Sequence, residues 1–348
     1  MNKSKSILQS STSLWADGTR IHQQRQAFFV VCNLQKVTIS FKTFVSNKKL
    51  LFLAFLIIAF AACSKKTSTT PVEAIIQGTN FFNFTYAGLP QKPIKVFYHI
   101  PQGDKTTMPI LLIFHGDERN AEDYRNWCIA YANQYHFMVF APEFTVQNFP
   151  GASGYSIGNV YTDGNNPTPL TLIPQDQWTF SYVEPLFDSI KAATGSTRNT
   201  YKIFGHSGGG QFVHRFVLFK TTARYDTAIA ANSGWYTLAN PTIAYPNYPY
   251  GVSNSPLATV NPTNYFTRKM IVSVGQLDTN ANDPSLRHNA SADAQGLNRL
   301  DRANYFFQKS QAYATSTSTT FNWEFNIVPN SGHDAQLMMD AAVKLLFQ

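Results

Sequence analysis

The sequence predicts an α/β fold: a mostly parallel central sheet, helices on both faces, and loop excursions over the ligand-binding end of the sheet. Three observations predict it. Strand-like and helix-like segments alternate along the chain. Several strand-like segments are continuous apolar runs, such as "PILLIF" (109–114), the pattern of strands covered on both sides. At one strand–helix join, "YKIFGHSGGGQFVHRF" (201–216), four glycines crowd around one serine, although glycine favours neither strand nor helix.

The elements follow in order. "NFFNFTY" and "KPIKVFYHIP" alternate in character and read as an antiparallel start. "PILLIFHG" is a buried strand ending in Gly116, followed by a helix over 121–134 and the buried strand "HFMVFAPEF". Residues 145–177 are rich in Gly, Pro, Asn and Tyr with no sustained period, a first loop excursion. "TFSYVEPLFDSIKAATG" is a helix with glycine after its end. The strand "YKIFGH" and a helix over 209–220 come next, then the buried strands "DTAIAANSGW" and "RKMIVSVGQLD". Between those two strands lies a second Pro/Tyr-rich excursion. A long helix over 294–313, the strand "FNWEFNIVP" and a helix over 335–347 complete the chain.

The 348 residues suit one large α/β domain with additions. The net charge of +8 is concentrated at one end. Residues 1–62 hold eight Lys and Arg against Asp17 alone, which accounts for seven of those charges. The remainder is nearly neutral and offers no footprint for a phosphate backbone, so nucleic acid is excluded as a partner. The segment "NKKLLFLAFLIIAFAACSKK" explains part of the imbalance. Lys48 and Lys49 precede 13 apolar residues, the length of a signal-peptide core and short of a membrane span of about 20 residues. Ala61, Ala62 and Cys63 then resemble a bacterial lipoprotein signal over 48–63, in which Cys63 is lipidated and anchors the protein to a membrane. Ordinary secretory cleavage nearby is the alternative. The polar stretch 64–75 reads as a flexible tether and 76–348 as the catalytic domain. Residues 1–47 read as a non-native or disordered extension, with the natural start expected at Val45. Cys32 falls in that extension and Cys128 in a helical pattern, where it is expected to be a small buried hydrophobe. No CxxC spacing is present, and no metal is expected.

Gly205-His206-Ser207-Gly208-Gly209 is a G-x-S-x-G pattern in strand–turn–helix context. A turn this sharp strains the serine and brings residues two before and two after it into contact, where any side chain would clash. It also aims the helix N-terminus, with its free N–H groups, at whatever the serine attacks. A nucleophilic serine needs a base, and the base needs an orienting group. Asp278 ends the second strand after the serine, and His333 follows the last strand. Both lie at the end of the sheet to which Ser207 is delivered. Asp334 is the distant second choice for the acid. The oxyanion hole is expected from the N–H of Gly208 and from the loop at Gly116 and Asp117. His115 is expected to brace that loop, and the Asp117 carboxylate to turn away toward Arg119.

Over 74–348 the chain therefore resembles the α/β-hydrolase family. Within it the "FHG" loop and export signal are similar to secreted esterases of the polyhydroxybutyrate-depolymerase and feruloyl-esterase type. The resemblance implies a cofactor-free serine hydrolase acting on esters through an acyl-enzyme. A peptidase of the same fold and a non-catalytic binding protein are the alternatives. Asn232, Trp235 and Tyr236 are expected to line the substrate pocket, and Tyr155, Tyr161, Tyr245 and Tyr248 its rim. Aromatic walls suit a carbohydrate, phenolic or polyester substrate.

Overall fold

The computed structural model describes residues 75–348. The signal, lipidation and extension readings, Cys63 included, lie outside the described residues. Ile75, assigned to the tether, is buried.

Eight strands form one sheet in the order β1-β2-β4-β3-β5-β6-β7-β8. They are β1 Gly78–Phe84, β2 Ile94–Ile100, β3 Ile110–Phe114, β4 Met138–Glu143, β5 Tyr201–His206, β6 Tyr225–Ala231, β7 Met270–Gly275 and β8 Trp323–Val328. β1, β2 and β4 pair antiparallel and all later neighbours pair parallel. Successive side chains of a strand point to opposite faces, and β3 shows the consequence. Ile110, Leu112 and Phe114 join one apolar cluster, while Leu111 and Ile113 join the other. Every residue of "ILLIF" is therefore buried, which explains why its sequence does not alternate.

The helices divide between the two faces. α1 (Ala121–Tyr135) and α5 (Ala335–Phe347) place Cys128, Met338 and Val343 in the second cluster. α2 (Val183–Thr194), α3 (Gly208–Phe219) and α4 (Arg299–Ser316) pack Phe187, Phe212 and Phe306 into the first. The long helix begins later than the apolar period suggests. Gly296 adopts φ 139°, which interrupts the run, and the Asn298 side chain caps the new start by accepting from Asp301 N–H at 2.9 Å.

The two excursions, 144–182 and 232–269, interlock. Tyr248 Oη donates to Ile157 O at 2.8 Å and Tyr161 Oη to Asn254 O at 2.9 Å. Their aromatic content is core: Tyr155, Phe180, Tyr236 and Tyr248 are buried in the first cluster.

Candidate active site

β5 ends at His206, and the chain turns at once into α3. Ser207 sits at this turn with φ 56° and ψ −116°, a strained region for a residue with a Cβ. Ser207 N–H continues the sheet ladder to Ala231 O at 2.9 Å, so the serine is held by its own backbone. A Cβ on Gly205 would overlap the carbonyl of Gly209, and one on Gly209 would overlap the carbonyl of Phe114. These two glycines let β5, α3 and β3 close around the turn.

Two loops at the C-terminal strand ends supply the partners. The loop after β8 is stitched to the loop after β7: Leu277 N–H donates to Ser331 O at 2.7 Å and Gln276 N–H to Val328 O at 2.9 Å. This pairing sets Asp278 beside His333. His333 Nδ1–H donates to Asp278 Oδ2 at 2.8 Å, and Ser207 Oγ lies 3.0 Å from His333 Nε2. A carboxylate only accepts, so the histidine proton sits on Nδ1 and Nε2 is left to accept from the serine. Asp278 is 3 % exposed, and its other oxygen faces Arg299 Nη1 at 3.4 Å. Arg299 is also held by Asp283 at 2.6 Å and Ser285 at 2.8 Å. Asp334 serves elsewhere, because its carboxylate accepts from Leu337 N–H at 2.8 Å and caps α5.

The loop after β3 covers the serine. His115 Nδ1–H donates to Gly116 O at 2.8 Å and its Nε2 accepts from Phe144 N–H at 3.0 Å, so the imidazole braces the loop. Gly116 N–H donates to Tyr124 Oη at 3.2 Å. Asp117 N–H has no partner among the described residues, and it lies against Gly208 at the start of α3. Of the two loop N–H groups, the one free to meet an oxyanion is therefore that of Asp117. The Asp117 carboxylate does not turn to Arg119. It lies over Gly208, while Arg119 donates to the carbonyls of Phe144, Phe149 and Gly151 and stacks on Tyr155 at 4.4 Å. Backbone carbonyls hold the two terminal nitrogens of the buried guanidinium, which fixes Arg119 against the 144–151 loop instead of against the Asp117 carboxylate.

A cleft of about 410 Å³ opens above Ser207 and His333, walled on the α1 side by Tyr124 and Trp127. Among solved structures, the chain is similar to poly(aspartic acid) hydrolase-1 from Sphingomonas sp. KT-1. Sequence identity is 35%, the TM-score is 0.72, and the match covers 79% of this chain and 100% of the other. The chain belongs to the α/β-hydrolase family of serine hydrolases. The hydrolase is also similar to LpqC, a poly(3-hydroxybutyrate) depolymerase from Bordetella parapertussis, at 29% identity and TM-score 0.70, over 78% of this chain and 90% of that one. No protein-family model matches the chain, and no curated protein matches it.

Several expected pocket residues lie elsewhere. Asn232 is buried with φ 45°, and its amide is engaged by Gly275 N–H at 2.8 Å and Gly332 O at 3.0 Å. Trp235 lies between the guanidinium groups of Arg215 at 4.1 Å and Arg287 at 4.7 Å. Tyr236 stacks on Phe306 at 4.3 Å. Tyr155, Tyr161 and Tyr248 are buried too, and Tyr245, though 39% exposed, lines a different cavity with Tyr248 and Tyr250. The causes are local: the loops after β7 and β8 take the Asn232 amide, Arg215 and Arg287 cover Trp235, Phe306 of α4 covers Tyr236, and the two excursions bury Tyr161 and Tyr248 against each other. The residues that do wall the cleft, Tyr124 and Trp127, are one helical turn apart on α1. Their i, i+3 spacing directly after the "HG" loop was the available signal.

Three histidines of the hydrolase are buried and neutral. Desolvation lowers His115 to about 3, and it holds His206 and His214 well below the ordinary histidine range, with His333 and Arg215 adding repulsion at the latter two respectively. Unfolded histidine titrates near 6.5, so below that pH the unfolded chain binds three protons that the native state refuses. Their contribution to stability is complete above pH ~6.5 and falls by about 1.4 kcal/mol per histidine per pH unit below it. Urea midpoints measured from pH 7.5 to 5 should drop steeply below pH ~6.5. A flat profile would mean that all three imidazoles accept their protons in the folded state, and a shallower fall that one or two of them do.

Proposed function

We propose that the chain hydrolyses carboxylic esters through an acyl-enzyme on Ser207. The observation that carries this reading is the unbroken chain Ser207 Oγ–His333 Nε2, Nδ1–Asp278 at 3.0 and 2.8 Å. Ser207 Oγ attacks the ester carbonyl while its proton passes to His333 Nε2. Asp278 keeps the ring oriented and stabilises the imidazolium. The oxyanion is met by Gly208 N–H and Asp117 N–H, with the positive end of α3 behind them. Collapse expels the alcohol, which takes the proton from His333. Water then attacks the acyl group, giving its proton to His333, and the acid leaves as Ser207 regains its hydrogen.

The cleft's charge favours one class of ester. Asp117, Glu118 and Asp334 line it, and among the described residues no Lys or Arg does. A carboxylate substrate would face like charges at about 1 kcal/mol per pair at 4 Å even in water, and more where water is displaced. Tyr124 and Trp127 offer flat apolar surface instead. The substrate is therefore an uncharged ester of the carbohydrate, phenolic or polyester kind. A polyanionic amide such as poly(aspartic acid), the polymer in the name of one relative, is the second reading.

Matched p-nitrophenyl esters carrying a neutral, an anionic or a cationic tail would test this. The neutral ester should exceed the anionic one in kcat/KM by about tenfold at low salt, corresponding to 1.4 kcal/mol, and the gap should narrow as salt rises. Preference for the anionic tail, or turnover of poly(aspartic acid), would favour the second reading.

A further inference from the structure

Tyr124 is buried on α1, yet its ring reaches the cleft. Its hydroxyl takes part in a chain whose proton positions can be worked out from one end. The Asn232 amide cannot turn. Its Oδ1 accepts from Gly275 N–H at 2.8 Å, and its Nδ2 donates to Gly332 O at 3.0 Å. The second Nδ2 hydrogen points to His206 Nε2 at 3.4 Å, which must accept it. Neutral imidazole carries one proton, so that of His206 is on Nδ1 and is donated to Tyr124 Oη at 3.0 Å. Gly116 N–H donates to the same oxygen at 3.2 Å. Both acceptor sites of the phenol oxygen are then occupied. Its own hydrogen has no acceptor among the described residues and faces the cleft.

The hydroxyl is also close to the chemistry. One Cβ position at Gly116 would meet Tyr124 Oη at 3.3 Å and Ser207 Cβ at 3.5 Å. We propose that the Tyr124 hydroxyl donates a hydrogen bond to the substrate held over Ser207, beside the N–H groups of Gly208 and Asp117. His206 and Asn232 are positioning residues in this arrangement: they set which way the tyrosine proton points. The variable position of the G-x-S-x-G pattern thereby acquires a role. Burial supports it, because desolvation keeps the His206 imidazole neutral and raises the Tyr124 phenol far from ionisation, so the phenol is a donor at every working pH.

The inference rests on Ser207 as nucleophile, which fluorophosphonate labelling tests separately. The tautomer is tested on the wild-type enzyme by 15N NMR with labelled histidine. A His206 signal with the proton on Nδ1 supports the proposal. A proton on Nε2 overturns it, because Tyr124 would then donate its hydrogen to His206. The second test is Tyr124→Phe. Its kcat should fall on the order of 10²-fold, with KM little changed and with a boronic-acid inhibitor weakened by a similar factor. If Ser207 labels normally and the variant melts near the parent, unchanged kcat and unchanged boronate affinity would remove Tyr124 from the reaction while leaving the hydrolase reading intact. Failure of Ser207 to label would instead remove the reading itself.

Discussion

Ser207→Ala should lower kcat by on the order of 10⁶-fold while the protein keeps its fold. The change deletes one oxygen that, among the described residues, is hydrogen-bonded only to His333. It leaves the strained backbone of the turn in place, because that turn is held by Ser207 N–H and by the Gly205–Gly209 contact rather than by the hydroxyl. His333→Ala should cost nearly as much, because Nε2 is the one acceptor hydrogen-bonded to Ser207 Oγ among the described residues. Groups that act as one unit lose their function once, so the double variant should be little slower than either single one. Steady-state kinetics on the best neutral ester, with melting curves as the control for folding, measure all three. Penalties that multiply in the double variant would show that the two side chains do not act on the same proton.

Asp278→Asn should lower turnover by on the order of 10⁴-fold, and the surroundings of this carboxylate specify why. Its two oxygens serve two donors, His333 Nδ1–H at 2.8 Å and Arg299 Nη1 at 3.4 Å. An amide has only one oxygen. Arg299 is 2 % exposed and permanently charged, so it claims the acceptor and the amide NH2 turns to the histidine. Nδ1 must then accept, the proton moves to Nε2, and Nε2 can no longer take one from Ser207. A pH–rate profile and single-turnover kinetics on the variant would check this. Activity near the parent level would mean that the amide keeps its oxygen toward His333 or that another acid orients the ring. Asp334 is already engaged as the cap of α5 and is poorly placed to orient it.

Much of the fold was legible because it is locally encoded. Continuous apolar runs identified β3 and β5 to β7, whose two-sided burial leaves no polar face to alternate. Periodicity and caps located the helices, and the start of α4 slipped only where Gly296 and Asn298 outweighed the apolar pattern. The pentapeptide around Ser207 was readable for the same reason: Gly205 and Gly209 are steric demands of the turn they sit in.

The order of residues alone thus establishes the α/β architecture, the sharp serine turn and the candidate acid and base at the strand ends. Tertiary structure decided which bonds those groups make. His333 reaches Ser207 across 126 residues of chain, and Tyr124 reaches His206 across 82. Gly116 and Asp117 look equivalent as oxyanion donors in the sequence, and only the Tyr124 hydroxyl, arriving from α1, takes one N–H and leaves the other. Trp235 and Tyr236 look like pocket residues beside the serine turn, until Arg215 of α3 packs on the one and Phe306 of α4 on the other. The physical reason is that spacing sets backbone conformation and the face a side chain occupies. A hydrogen bond has a direction and a limited number of acceptors, and those are allotted only when distant segments meet.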